Sequence, residues 1–436
     1  MMKSERKLGI IFFPAYDWAI SPTHPERQER LLYTQDQLVE EGLFDIDGIT
    51  EYKPDLATVQ DVERAHFCFP DTPHILTESH LVSAGGAIKA ARLVLDKKED
   101  RAFALVRPPG HHAMKVVHGA RGFCNVNIEA IMIEYIREHY GQKRIAVVDT
   151  DCHHGDGTQD IYWHDPHTLY ISVHQDGRTL YPGSGFIGEL GGPNAIGRTI
   201  NIPLPPETAD DGFLFALEKI IMPILKDFKP DLVINSAGQD NHYSDPITNM
   251  NFSAQGYARL NEVLNPDIAV LEGGYAIQGA LPYVNLGIAL AMAGVDYSSV
   301  REPDFDRDSL KQDAGVTQYI KKIADEILDT YAHLADHASR GMPGNYSVRK
   351  KNIYYDTDGI QENQVESVMV CDECAGVLKI ETLSTVNPLC LGVEIPVGAC
   401  PRCRREGLRI LDEGRKKGKY RHIQLINRAD REYARF

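Results

Sequence analysis

Ile145-Ala146-Val147-Val148-Asp149-Thr150-Asp151-Cys152-His153-His154-Gly155-Asp156-Gly157 is the stretch whose reading decides the fold. Four apolar residues read as a strand buried on both faces, and carboxylates and imidazoles follow at once. Residues two apart on extended backbone share a face, so Asp149, Asp151 and His153 can converge on one point. Imidazole nitrogen beside carboxylate oxygen suits a borderline divalent ion such as Zn²⁺ or Fe²⁺. A solvated acidic loop explains the stretch poorly. Three Asp and two His in eight residues after a buried strand would need mutual partners in any case.

The same grammar recurs outward from this stretch. Short apolar runs lie at 102–106, 169–173, 232–235 and 268–271, with longer amphipathic stretches between them. Within residues 213–228, for example, Phe213, Ala216, Leu217, Ile220, Ile221 and Ile224 fall on one helical face. Strand–helix alternation from residue 8 to about 294 predicts an α/β fold, with a largely parallel sheet covered on both faces. Ligands of such sheets bind beyond the carboxyl ends of the strands, so those ends nominate the site.

After 102–106 comes Arg107-Pro108-Pro109-Gly110-His111-His112-Ala113, a rigid turn ending in two adjacent imidazoles. After 232–235 comes Ser236-Ala237-Gly238-Gln239-Asp240. Asp240 makes a third ligand beside Asp151 and His153, and three protein ligands leave a position open for water and substrate. After 268–271 comes Glu272-Gly273-Gly274-Tyr275. Gly273 and Gly274 permit close backbone approach to a ligand, and the phenol of Tyr275 can donate a hydrogen bond into the site. A His pair, a metal cluster, a carboxylate and a phenol at four strand ends make a metallohydrolase constellation.

Composition bounds the rest. The 436 residues are 43% apolar and 25% charged, an ordinary globular balance for two or three domains. No run approaches the roughly 18 apolar residues of a membrane span. Residues 8–13 read as a first buried strand, because Pro14 and Asp17 interrupt any signal-peptide pattern. The net charge of −16 repels nucleic acid and attracts cations. Its spread is uneven. Residues 401–436 hold 12 Lys/Arg against 5 Asp/Glu, and residues 1–400 hold 34 against 57, which suggests two units with separate jobs.

Of eight cysteines, Cys68, Cys124 and Cys152 are scattered, which points to a reducing, cytoplasmic setting. Cys371-x2-Cys374 and Cys400-x2-Cys403 read as two knuckles of a closed Cys₄ site for structural Zn²⁺. Residues 377–380 and 391–397 can pair as strands between them, and Cys390 is a spare core thiol. The expected organisation is a catalytic domain over 1–337, closing on a helix at 309–337. A polar linker follows over 338–367. The last unit is a small β-rich, zinc-ribbon-like module with a basic tail over 368–436. The run Arg415-Lys416-Lys417-Gly418-Lys419-Tyr420-Arg421 reads as a solvated basic segment. No aromatic-rich reading surface accompanies it, so it is not expected to bind nucleic acid, and a protein partner through this module is open.

Over residues 8–300 the chain resembles the histone deacetylase family of the arginase/deacetylase superfamily, in its class II and bacterial amidohydrolase-like branch. The resemblance is carried by His24-Pro25-Glu26-Arg27 with Glu29-Arg30, the 107–113 turn, Gly122-Phe123-Cys124-Asn125 and residues 149–156. It continues through Tyr181-Pro182-Gly183-Ser184-Gly185, residues 236–240 with Asp245-Pro246, and residues 271–275. It implies a three-layer fold around a central, mostly parallel eight-stranded sheet.

The resemblance also implies roles. Asp151, His153 and Asp240 would bind the catalytic Zn²⁺. His111 would pair with Asp149 and His112 with Asp156, His112 serving as the proton carrier. Tyr275 would hold the oxyanion, and Gly122 would accept the scissile amide N–H. Phe123 and Tyr181 would wall a channel for the aliphatic stem of the substrate. A K⁺ ion would be held by Asp149, Asp151, His153, Ser172 and Val173. Gln239 stands where the family usually has an aromatic residue. Ile247 stands where a polyamine-selective branch carries an acidic gatekeeper, which favours acyl-lysine over acetylpolyamines. Arginases would need a second-metal carboxylate at position 155, where this chain has Gly155. The expected activity is therefore zinc-dependent removal of acyl groups from lysine. The alternatives are a small-acylamine amidohydrolase and an acyl-chain binding module without catalysis, and a homo-oligomer fits any of them.

Overall fold

The computed structural model describes residues 2–436 except 304, 307 and 309. Eight strands form one sheet: β1 (Lys3–Phe13), β2 (Asp47–Tyr52), β3 (Arg101–Val106), β4 (Ile145–Asp149), β5 (Thr168–Gln175), β6 (Thr199–Leu204), β7 (Leu232–Ala237) and β8 (Ile268–Leu271). Their spatial order is β2-β1-β3-β8-β7-β4-β5-β6, and every neighbouring pair is parallel. Continuous apolar strands need cover on both faces, and the pleat supplies it. Ala146 and Val148 enter one core with the helices Ala254–Leu264 and Leu281–Ala293. Ile145 and Val147 enter the other with the helices Glu78–Leu95 and Ile128–Tyr140. The three-layer α/β expectation holds.

The six residues assigned to one face of 213–228 are all buried in the first core. That segment is an α-helix over Asp210–Ala216, a widened turn over Leu217–Ile221 and an α-helix over Met222–Phe228. Pro223, which has no N–H to donate, sits just after the widened turn. The helix expected over 309–337 runs Ala314–Ala332 with a short turn at Leu334–His337, and its expected first residue, 309, lies outside the described residues.

The C-terminal region corrects the expected linker. Residues 338–367 contain most of two ten-residue strands, β9 (Tyr346–Tyr355) and β10 (Ile360–Met369). They open a six-stranded sheet with β11 (Leu378–Ser384), β12 (Cys390–Ile395), β13 (His422–Asn427) and β14 (Glu432–Arg435), in that order. Apolar alternation missed β10 because its inward positions include Glu362, Gln364 and Glu366, all buried. The expected pairing of 377–380 with 391–397 is present as antiparallel β11 and β12. The basic segment is the end of a helix, Pro401–Lys417, which crosses over to make β13 parallel to β12.

This sheet is not a separate unit. Phe67, Phe69 and Val116 of the first domain share a buried cluster with Val368, Leu378, Ile380, Cys390 and Ile426. Buried ion pairs join the same faces: Lys115 with Glu394 at 2.7 Å, Arg428 with Glu134 at 2.7 Å, and Lys351 with Asp160 at 2.6 Å. The acidic body and the basic end are therefore partly partners of each other. Phe67→Ala opens a cavity at this seam, where the ring lies against Gly392. Chemical denaturation is expected to record a loss of about 3–5 kcal/mol. A loss of only a few tenths would contradict a shared core.

Candidate active site

Parallel packing brings the ends of β3, β4, β7 and β8 to one edge of the sheet, and the side chains beyond them meet there. His153 Nδ1 lies 2.9 Å from Asp240 Oδ2 and 3.3 Å from Asp151 Oδ1. All three residues are buried. The other carboxylate oxygens are fixed by backbone: Asp240 Oδ1 accepts the Cys152 N–H at 2.7 Å and Asp151 Oδ2 accepts the Gly273 N–H at 2.7 Å. Glycine is required at 273, since a Cβ there would fall 2.3 Å from Asp240 Oδ2. Burial pulls the His153 imidazole down, yet Asp240 and Asp151 lift it to about 10. Burial and the Asp151 charge push the Asp240 carboxyl up. Two carboxylates confined with one imidazole out of water call for positive charge, and the donor set fits a divalent cation.

The histidine pair sits beside this cluster. Glu272 Oε2 accepts the N–H groups of Gly110 at 2.7 Å and His111 at 3.0 Å, which fixes the turn carrying both rings. His111 Nδ1 is 3.2 Å from Asp149 Oδ2, and His112 Nδ1 is 2.9 Å from Asp156 Oδ1. Burial lowers His111, but Asp151 and Asp149 outweigh it and hold the ring well above the usual imidazole value. Burial, with His111, His153 and Arg121, holds His112 well below that value. The two imidazoles thus differ in charge preference although they are adjacent in the chain. Asp156 also receives Arg121 at 2.6 Å.

Tyr275 is set by groups from three segments. Asp245 Oδ2 accepts its N–H at 2.7 Å, and the Arg30 guanidinium lies 4.9 Å from the ring centre. Arg30 Nε donates to the Gly274 carbonyl at 2.8 Å. Glu26 is fully buried between Arg30 at 2.8 Å and Arg107 at 2.6 Å, so one carboxylate ties the Tyr275 turn to the histidine turn. Burial raises the phenol well above its ordinary value, so it remains a donor.

A cavity of about 250 Å³ opens onto these groups. His111, His112, Asp151, His153 and Tyr275 line it, with Gly122, Phe123, Tyr181, Ile247 and Asp356. Phe123 stands edge-on to Tyr275 at 5.5 Å and Tyr181 edge-on to His112 at 5.1 Å. Gly122 has φ +52°, and a Cβ there would lie 2.4 Å from the His112 ring, so only glycine fits. Asp149, Asp156, Asp240 and Gly274 lie behind the lining and act on it. His154 faces away, paired with Ser184 and Gln159. Gln239 is buried and donates to Asn285, which gives a polar pair to the space behind Asp240. Asp149 and Ser172 are cross-strand neighbours on β4 and β5, and Ser172 Oγ lies 2.8 Å from His174 Nδ1.

Glu26, Arg30 and Glu272 lie in quoted motifs, but their bracing roles were not read. Only the four-residue spacing of Glu26 and Arg30 signals their pairing. Arg121 and Asp356 carried no signal. The latter comes from a strand that was itself missed.

The four cysteines expected to cluster do so. Cys371 Sγ lies 3.7 Å from Cys400 Sγ and 3.6 Å from Cys374 Sγ. These separations are too long for a disulfide and match the ~3.8 Å edge of a tetrahedron around a zinc–sulfur distance of ~2.3 Å. Cys400 caps the helix Pro401–Lys417 and Cys403 lies in its first turn. Asn194 of the first domain accepts the Cys371 N–H at 3.0 Å and donates to the Ala375 carbonyl at 2.7 Å, so the cluster is docked on the catalytic body.

The family model of the histone deacetylase domain matches residues 70–285. A probable deacetylase of Archaeoglobus fulgidus is 45% identical over 324 residues, spanning 68% of this chain and 89% of that protein. A histone deacetylase-like amidohydrolase of Pseudomonas aeruginosa is 34% identical over 240 residues, 53% of this chain and 62% of that one. The crystal structure of the HDA15 HD domain shares the fold, with a TM-score of 0.64 at 24% identity over 76% of this chain and 97% of that chain. Identity of 45% along 89% of a probable deacetylase, on a shared fold, makes this chain a member of the histone deacetylase family, a deacetylase or amidohydrolase of that family.

Proposed function

We propose that the chain removes acetyl or related acyl groups from lysine side chains, by attack of water on the amide carbonyl. The observation that carries this reading is the meeting of the Asp151–His153–Asp240 cluster, the His111–His112 pair and Tyr275 at one cavity. Asp151, His153 and Asp240 would hold the divalent cation, Zn²⁺ or Fe²⁺, which when bound polarises the carbonyl and acidifies water.

His112 takes the proton of the attacking water, because burial and the nearby His111, His153 and Arg121 keep it neutral and Asp156 commits its Nδ1, leaving Nε2 as the base. The same nitrogen returns the proton to the departing amine. His111, kept charged by Asp149 and Asp151, supplies a fixed positive charge beside the reacting centre. Tyr275 donates its O–H to the carbonyl oxygen as negative charge builds there. The Gly122 carbonyl accepts the amide N–H, and Phe123 and Tyr181 grip the aliphatic stem. Gly274 and Ile247 complete the fit, Gly274 through Arg30 and Ile247 as apolar wall. An acetylpolyamine or other small acylamine would use the same chemistry. With triad and phenol both at the cavity, a binding module without catalysis is disfavoured.

The four-cysteine cluster would hold a structural Zn²⁺, and Asp149 with Ser172 belongs to the proposed K⁺ site. No helix among the described residues is long and apolar enough to cross a membrane. Four thiols placed as metal ligands and not as disulfides support a reducing compartment such as the cytoplasm.

The test is deacylation of an acetyl-lysine peptide and N-acetylputrescine, side by side, by zinc-loaded protein. Tyr275→Phe is expected to retain fold and metal and to lose about 10²–10³ in kcat, the usual cost of one oxyanion donor. Near-full turnover in that variant would break the assignment. Cys371→Ser is expected to shed one metal ion per chain and lower the melting temperature, with the ion at Asp151 retained. Metal analysis showing loss of both ions would contradict two independent sites.

A further inference from the structure

We propose that Asp356, brought to the mouth of the catalytic cavity by the C-terminal sheet, is a specificity-determining residue that selects acylated amines carrying a second, distal positive charge. This rests on the amide-hydrolysis chemistry proposed above and takes the small acylamine named there, in place of acyl-lysine, as the preferred substrate.

The turn that joins β9 to β10 is Asp356-Thr357-Asp358-Gly359, closed by the pairing of Tyr355 with Ile360. Its two carboxylates grip the loop that forms one wall of the cavity. Asp358 Oδ2 accepts the Ala120 N–H at 2.6 Å, and Asp356 Oδ1 accepts the Gly122 N–H at 3.0 Å. Tyr181, on another wall, donates its phenol to the same Asp356 oxygen at 3.0 Å. Beneath the turn, Met114 packs in a buried cluster with Ile353, Tyr355 and Ile360. The Tyr355 phenol lies 2.9 Å from the Val116 carbonyl. The carboxylate is therefore held in place by both bodies of the protein.

Two acids line the cavity, and they occupy different depths. Asp151 is wholly buried at the floor, whereas Asp356 is exposed. The second oxygen of Asp356 has no hydrogen-bond partner among the described residues, so it can receive a donor from a ligand. The nearby cation, Arg121, pairs with Asp156 at 2.6 Å and also feels the Asp356 charge, but among the described residues no hydrogen bond or ion pair joins it to Asp356. Ile247 and Leu180 make neighbouring lining apolar, so a distal ammonium would find its counter-charge at Asp356. Acyl-lysine and monoacylputrescine share a four-carbon stem. With the acyl group at the floor, the free ammonium of the diamine reaches the depth at which acyl-lysine presents its neutral Cα. A carboxylate fixed at that depth favours the diamine.

Asp356 also staples the two bodies together, and the test must separate that role from selection. Asp356→Asn keeps the Oδ1 acceptor for Gly122 and Tyr181 and removes the charge. Zinc-loaded wild type and variant, each a full chain, are compared on N-acetylputrescine and on its neutral isostere N-pentylacetamide, with an acetyl-lysine peptide as reference. Wild type is expected to prefer the ammonium substrate, with the preference shrinking as salt is added. In the variant, kcat/KM for N-acetylputrescine is expected to fall about tenfold or more, chiefly through KM, since the charge pair exists in ground and transition states alike. Turnover of N-pentylacetamide should stay within about twofold, and Asp356→Glu should keep the preference for the ammonium. Equal losses on both substrates would mean a structural staple and overturn the proposal, as would no loss on either. Turnover of the peptide without discrimination between the two small amides would also overturn it, leaving the hydrolase reading intact. Turnover of none of the three by wild type would overturn both.

Discussion

Two carboxylates, Asp151 and Asp240, converge on one imidazole nitrogen of His153 at the buried floor of the cavity, and the rest of the molecule is arranged around that demand. Confined negative charge is unstable without a cation, and its geometry must be held by groups that do not move. The parallel sheet supplies the frame, because strands running the same way end together. Backbone N–H groups from Cys152 and Gly273 then fix the outer oxygens. Glu272 fixes the histidine turn, and the Glu26–Arg30–Arg107 cluster locks that turn to the one bearing Tyr275. The histidine pair, Tyr275 and the Asp151–His153–Asp240 cluster are thereby kept in register by buried ionic and backbone contacts.

The same economy explains the C-terminal sheet. A small β-rich unit with polar inward positions on β10 has little apolar surface of its own to bury. It gains a core by docking on Phe67, Phe69 and Val116, and it settles charge by pairing Lys351 and Arg428 with acids of the body. Cys400 and Cys403 at the start of a helix, with Asn194 reaching in from the first domain, anchor the far end. The near end reaches the catalytic cavity through the turn at Asp356. An element that looks like an accessory in the sequence is part of the wall.

Legibility in the sequence follows the physics of burial. Six strands of the parallel sheet and their strand-end residues were readable, because apolar runs bounded by Asp and His leave few alternatives, whereas Asp47–Tyr52 and Thr199–Leu204 were not, and the count of eight came from the resemblance. His111, His112, Phe123, Asp151, His153, Tyr181 and Tyr275 line one cavity with Asp240 behind it, and the four cysteines cluster. The strands β9 and β10 were not readable, because inward Glu362, Gln364 and Glu366 erase the apolar alternation of β10 and half-buried Arg349 and Lys351 erase that of β9, and Glu366, Arg349 and Lys351 meet partners far away in the chain. His164, for example, lies 202 residues from the Glu366 it meets. The bracing carried by Glu26 and Arg121, and the place of Asp356, depend on contacts between distant segments that no local spacing encodes.

The central claim is that Asp151, His153 and Asp240 hold the catalytic metal. Anomalous diffraction at the zinc edge from crystals of zinc-loaded protein tests it most directly. The account predicts two peaks per chain, one bounded by His153 Nδ1 and oxygens of Asp151 and Asp240, the other within the four cysteine sulfurs. A peak at the cysteines alone, with the strand-end carboxylates still hydrogen-bonded to His153, would contradict it.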